Sequence, residues 1–227
     1  MVPSTLLNKN QVGRRDVDFK ADQELTLHDF HRAIDVTVDQ IGQMQVRFSK
    51  RLPESASLIF TAHIMILKDV HFVEEIKKRI EQGVPVTQAI RLVAEHYVAL
   101  FSSSSHPLIR EKAHDVEDLC TRLLANVRNT NSKEPVLGNN RIAIAAKLYP
   151  SDVLKIASES VKGIILVSGG ATSHVAILAR SLQIPMVIAN FAELLYIPDG
   201  TPVFLDAESG NICINPSERM VKPSASD

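Results

Sequence analysis

The stretch "VKGIILVSGGATSHVAILARSLQIPMVIAN", residues 161–190, passes from one short apolar segment through two glycines and a histidine into a second apolar segment. "VKGIILVS" is too short for a helix and rich in β-branched residues, so it reads as a buried strand. Gly169 and Gly170 then supply a turn, Thr172 and Ser173 offer hydroxyls that cap helices, and a short apolar helix starts at about Ser173. "PMVIAN" follows as another strand. Strand, turn, helix and strand in that order mark an α/β domain.

The segments around this stretch are equally short and alternate in type. "RIAIAA" reads as a strand, "SDVLKIASES" as a helix, and "TPVFLDAESGNICINP" as a hairpin that turns at Glu208, Ser209 and Gly210. Upstream of about residue 130 the periodicity is different. Leu27, Phe30, Ile34, Val38, Ile41, Met44 and Phe48 recur at three- and four-residue steps, which makes one apolar stripe on a long helix that Pro53 ends. "ESASLIFTAHIMILKD" is apolar almost all round, the pattern of a helix sandwiched between others. A third helix carries Phe72, Val73, Ile76 and Ile80 and stops at Gly83. A fourth opens at Pro85, and a fifth, about 107–127, repeats Ile109, Ala113, Val116, Cys120, Leu123 and Val127. The expected architecture is an α/β domain with an inserted or appended all-α helical bundle: helices over 24–128, the α/β part over 136–219, and tails or linkers at 1–23 and 220–227.

Composition narrows the function classes. The chain has 227 residues, 45% of them apolar and 22% charged, which suits a globular protein with a real core. A net charge of −1 and an aromatic share of 5% give neither a field nor a stacking platform for nucleic acid. No apolar run approaches the roughly 20 residues of a membrane span, and the N-terminus lacks a signal-peptide core, so a cytoplasmic location without membrane contact is expected. The two cysteines, Cys120 and Cys213, lie far apart and read as reduced packing residues. The histidines form no convincing metal set. His63 sits in an apolar stretch and reads as a packed, hydrogen-bonded residue.

His174 falls in the first turn of its helix. Helix starts present unpaired N–H groups and a partial positive charge, which attract phosphate and disfavour a protonated imidazole. Both effects suit a histidine that accepts a phosphoryl group, since the nucleophile is the neutral ring. From spacing alone, a capped tight turn ahead of a surface histidine is the commoner reading, and spacing alone does not decide between the two.

The residues themselves resemble a known family. "GGATSHVAILARSLQIPMV" is similar to the signature of the phosphoenolpyruvate-utilising enzymes. "IFTAHIMILKD" and "REKAHDVEDLCTRLL" resemble helical stretches in the N-terminal, phosphohistidine-bearing domain of enzyme I of the sugar phosphotransferase system, and "LYPSDV" and "VFLDAESGNICINP" fall in that family's order. The resemblance covers roughly residues 24–219. It implies a swivelling phosphohistidine domain in which His174 is phosphorylated at Nε2, with Gly169, Gly170, Thr172, Ser173 and Arg180 as supporting residues. It further implies that the helical part docks a histidine-containing phosphocarrier protein through Ile59, Met65, Ile66, Asp69, Leu108, Ile109 and Lys112. The implied activity is that of a phosphoenolpyruvate-protein phosphotransferase, in sugar transport, in a nitrogen-related branch or in a dihydroxyacetone kinase phosphotransfer protein. A non-catalytic docking or regulatory module of the same fold is the alternative.

Three departures stand out. Ala171 occupies a position where the family commonly has arginine, Val153 one where it commonly has threonine, and the usual first strand is not evident at the N-terminus. The barrel domain that binds phosphoenolpyruvate and Mg2+ in the family, and through which it dimerises, is not expected in this stretch of sequence. The reading therefore expects a monomer that needs no cofactor within this domain and takes its phosphoryl group from the carrier.

Overall fold

The computed structural model describes residues 2–7, 24–128, 140–159, 161–171 and 173–217. Thr172, the polar stretch 129–139 and the tail 220–227 lie outside the described residues. The chain divides into two compact units, one of Arg14–Glu134 and one of Met1–Gly13 with Pro135–Asp227.

The first unit is a helical bundle. Helix α1 (Leu27–Phe48) opens on a capping box: Asp29 N–H donates to the Thr26 hydroxyl at 3.3 Å while the Asp29 carboxylate accepts from the Thr26 N–H at 2.9 Å. Its buried face carries Phe30, Ala33, Thr37, Ile41 and Phe48. Helices α2 (Glu54–Leu67), α3 (Val70–Glu81), α4 (Val86–Ser102) and α5 (Pro107–Val127) follow. Proline stands at the entry to three of them, where its missing N–H is harmless and its fixed φ suits the first turn. Gly83, with φ at +87°, closes α3 in the left-handed conformation that glycine adopts without strain. Packing of α4 and α1 against α5 buries Ile90, Val93, Val116, Leu119 and Leu123 completely. Across the α1–α5 seam, Asn126 donates to the Thr37 hydroxyl at 2.8 Å and to Gln40 Oε1 at 3.1 Å, so a buried amide has partners and sets the register.

Helix α2 departs from the expectation of a fully sandwiched element. It packs against α1, α3 and α5, yet Leu58 and Met65 are 60% and 68% exposed. The helix has more apolar faces than neighbours to cover them.

The second unit is built on six strands in the order β4-β3-β2-β1-β5-β6. They are β1 (Val2–Leu7), β2 (Ile142–Ala145), β3 (Gly163–Leu166), β4 (Met186–Ile188), β5 (Pro202–Asp206) and β6 (Asn211–Ile214). The first four are parallel; β5 runs antiparallel to β1 and to β6. Strand β1 corrects the reading of residues 1–23 as a tail and of the first strand as missing. "VPSTLL" pairs Ser4 with Ile142 and Leu7 with Ala145, and Val2 with Val203. Its partners lie more than a hundred residues away, and six residues with a proline among them carry no period that local pattern reading detects. The helical bundle is thus inserted between two adjacent parallel strands.

Helices α6 (Pro150–Ser158) and α7 (His174–Ser181) connect β2 to β3 and β3 to β4 and pack on each other, which places both on one face of the sheet. On the other face Ile142, Ile144, Ile165, Val187 and Val203 form a core under Leu194, Leu195 and Ile197, around the 3₁₀ turn Ala192–Tyr196. The β5–β6 turn is held by Asp206, whose carboxylate accepts from the Ser209 hydroxyl at 2.6 Å and the Glu208 N–H at 3.0 Å.

Candidate functional site

In a parallel sheet the strand C-termini share one edge, and connections that leave them meet there. Strand β3 ends at Leu166; Val167 N–H still donates to Ala145 O at 2.8 Å, and the Ser168 hydroxyl donates to Ala146 O at 2.6 Å. The chain then turns through Gly169, whose φ of +139° disfavours any side chain. A Cβ there would also stand 3.1 Å from Leu166 Cδ2, whereas one on Gly170 would meet nothing within 4 Å. Ser173 N–H donates to Gly170 O at 3.0 Å and closes the turn.

Ser173 is the N-cap of α7: its hydroxyl accepts from Ala176 N–H at 3.3 Å and its carbonyl from Ile177 N–H at 3.0 Å. His174 is the first residue of the helix and half-buried. Val175, Ala176, Leu178 and Ala179 are buried beneath it and pin the helix to the sheet. The histidine therefore stands at the positive end of the helix macrodipole, on a rigid element, at the strand C-terminal edge. Arg180, in the last turn of α7, is exposed. Six residues separate it from His174, about 9 Å along the axis at 1.5 Å per residue, so it belongs to the other end of the helix.

Val153 is fully buried in α6, where it fills core space without a hydroxyl. The Asp152 carboxylate beside it accepts from the Tyr149 N–H at 2.9 Å and so caps α6.

The seven docking candidates all lie in the helical unit, but their surroundings differ. Met65, Leu108 and Ile109 are 68%, 65% and 44% exposed. Ile59 and Ile66 are half-buried. Asp69 caps α3 by accepting from Phe72 N–H at 2.9 Å. Lys112 donates to Asp115 Oδ2 at 2.8 Å. Leu58 and Val70, 60% and 70% exposed on α2 and at the start of α3, extend the same apolar set, and the sequence reading missed them. The all-round apolarity of α2 was the signal for Leu58.

Below these residues lies a buried polar cluster. His63, 3% exposed, donates from Nε2 to Asp115 Oδ1 at 3.3 Å, and Asp115 is itself 1% exposed. Burial pushes the Asp115 carboxyl up, but hydrogen bonds and charge from His63 and Lys112 outweigh it and hold the group below the usual carboxylate range. This carboxylate ties α2 to α5. The sequence reading of His63 as packed and hydrogen-bonded matches its place here.

Among the described residues no single helix is long and apolar enough to cross a membrane; only α2 and α3 taken together, bent by 44°, reach that length and composition.

Both parts of the chain are similar to known proteins. Residues 5–112 match the family model of the PEP-utilising enzyme N-terminal domain, and residues 137–210 match that of the PEP-utilising enzyme mobile domain. The phosphoenolpyruvate-protein phosphotransferase of Haloferax volcanii is 32% identical over 82% of this chain and 33% of its own length. That of Bacillus subtilis is 30% identical over 89% of this chain and 36% of its own. The chain thus spans about a third of the length of these curated relatives. An Enzyme I protein solved by NMR superimposes with a TM-score of 0.66 at 28% identity, over 92% of this chain and 84% of that one. The N-terminal domain of a nitrogen Enzyme 1 does so with a TM-score of 0.64 at 21% identity, over 88% and 82%, and shares the fold.

Proposed function

The chain belongs to the phosphoenolpyruvate-utilising enzymes, and from that premise we propose that it relays phosphoryl groups through His174, exchanging them reversibly with a histidine-containing phosphocarrier protein that docks on the helical unit. The observation that carries this reading is the position of His174 as the first residue of α7, on a glycine turn at the strand C-terminal edge.

The chemistry follows from that position. A lone pair on the neutral His174 ring, at Nε2, attacks the phosphorus of the carrier's phosphohistidine. A phosphorus–nitrogen bond forms on His174 as the one on the carrier breaks, and the electron pair of the broken bond returns to the carrier's ring nitrogen. The bonds exchanged are of the same kind, so transfer is close to balanced and runs in both directions. The helix start favours the phosphoryl anion that transfer creates, an effect of about 0.3–2 kcal/mol at a half-buried terminus. Gly169 and Gly170 carry no side chains that would obstruct the donor.

Docking is supported by exposed Leu58, Met65, Val70, Leu108 and Ile109. Large apolar residues left open on neighbouring helices mark a protein-binding surface.

The test is incubation with the phosphorylated carrier followed by intact-mass analysis. A single added phosphoryl group that is labile in acid, stable in base and lost in His174→Ala supports the relay. No adduct on a folded protein that still binds the carrier would instead make the chain a docking module, an outcome consonant with the missing hydroxyl at Val153.

A further inference from the structure

Resting on the relay just described, we infer that Lys147 is the side-chain cation that meets the phosphoryl group on His174. A phosphoryl group on imidazole carries negative charge that the helix terminus only partly offsets, so a nearby ammonium or guanidinium adds charge-assisted hydrogen bonds. The described residues of this unit offer Arg141, Lys147, Lys155, Lys162 and Arg180. The topology separates them.

Arg141 and Lys162 precede β2 and β3, at the N-terminal edge of the parallel strands, and Arg141 is paired there with Asp199 at 3.1 Å. Arg180 occupies the far end of α7. Lys155 lies in the last turn of α6, a helix that starts at the His174 edge and runs away from it. Lys147 alone of the five follows β2 directly, at the same edge as His174.

The pairing of β2 with β3 brings it close. Ala145 is in register with Leu166, and the contacts from Val167 N–H to Ala145 O and from Ser168 Oγ to Ala146 O continue the alignment beyond the strands. Lys147 thereby stands beside Ser168, the residue that opens the turn to His174, one strand spacing of about 4.8 Å away. Its flexible four-carbon stem spans such a gap. The side chain is exposed, and its ammonium lies 5.1 Å from the centroid of the Tyr149 ring, whose backbone is fixed by the bond from Tyr149 N–H to Asp152 at 2.9 Å. An aromatic face holds the ammonium at that edge. Lys147 is in this reading a phosphoryl-contacting residue that the sequence motif does not include.

The experiment is rapid-quench measurement of phosphoryl transfer from a phosphorylated histidine-containing carrier to wild type, Lys147→Ala, Lys147→Arg and Lys155→Ala, with 31P NMR titration of each phosphorylated product. Lys147→Ala should slow transfer about tenfold, the scale of one charge-assisted hydrogen bond at a partly exposed site, and should raise the pH at which the phosphoryl resonance titrates. Lys147→Arg should keep most of the rate, and Lys155→Ala should match wild type. Label on wild type, with Lys147→Ala unchanged in both rate and 31P titration, would overturn the assignment while leaving the relay intact. Absence of label on wild type would overturn the relay itself, and this inference with it.

Discussion

Replacing Asp115 by alanine should destabilise the helical unit by about 2–3 kcal/mol. The main contribution comes from His63. At 3% exposure its ring loses the acceptor 3.3 Å away, and a buried donor without a partner is destabilising by about 1–3 kcal/mol. Lys112 contributes little, because its side chain is 40% exposed and its ammonium returns to water, as for a surface pair worth about 0–1 kcal/mol. The pair can be isolated by a double-mutant cycle in which His63→Leu and Asp115→Leu are made singly and together. Removing both polar partners should be milder than removing Asp115 alone, with a coupling of about 1–3 kcal/mol. Urea unfolding followed by circular dichroism near 222 nm reads the helical unit directly. Its pH dependence has a definite sign. The carboxyl titrates lower folded than unfolded, so its stabilisation is complete above the unfolded value near 4 and is lost as pH falls through the lower folded value. The stability gap between wild type and Asp115→Asn should therefore narrow below about pH 4. A cost below about 0.5 kcal/mol for Asp115→Ala, or a gap constant from pH 6 to pH 3, would refute the role given to this cluster.

Gly169→Ala should slow phosphoryl transfer and lower stability by about 1–2 kcal/mol, since φ of +139° is a glycine conformation and the new Cβ meets Leu166 at 3.1 Å; the parallel change at Gly170 should be mild. Thermal melts of the two variants make the comparison, and equal losses would contradict it. Leu108→Glu with Met65→Glu should weaken carrier binding more than tenfold by calorimetry without changing the fold, as charge enters an exposed apolar surface. Unchanged binding would remove the docking face from α2 and α5. Burial pushes the Cys120 thiol up to about 11, so only about one thiol in a thousand is ionised at pH 8. Alkylation of Cys120 should accordingly be slow until the helical unit unfolds; labelling at the rate of the unfolded chain in native buffer would contradict that burial.

Much of this fold was legible because its elements are locally consistent. The stripe from Leu27 to Phe48 and the repeat from Ile109 to Val127 coincide with α1 and α5, since an amphipathic helix announces its buried face in its period. The Gly169-Gly170 turn and the Ser173 cap were readable for the same reason, as their chemistry lies within a few residues. What escaped depends on distant pairing. Strand β1 is specified by β2 and β5, and nothing in "VPSTLL" alone reports them. Lys147 gains meaning only from the β2–β3 register that sets it beside Ser168. Leu58 and Val70 escaped for a different reason: an apolar pattern states how much surface is hydrophobic and is silent on which part finds a neighbour.

The central claim is that His174 carries the phosphoryl group. The direct measurement is mass spectrometric mapping of the chain after incubation with a phosphorylated histidine-containing carrier, on samples split between acid and base and with His174→Ala in parallel. The account predicts one phosphoryl group, located on His174, surviving base, lost in acid and absent from the folded His174→Ala variant. A phosphoryl group that survives acid, or that persists in His174→Ala, would contradict it.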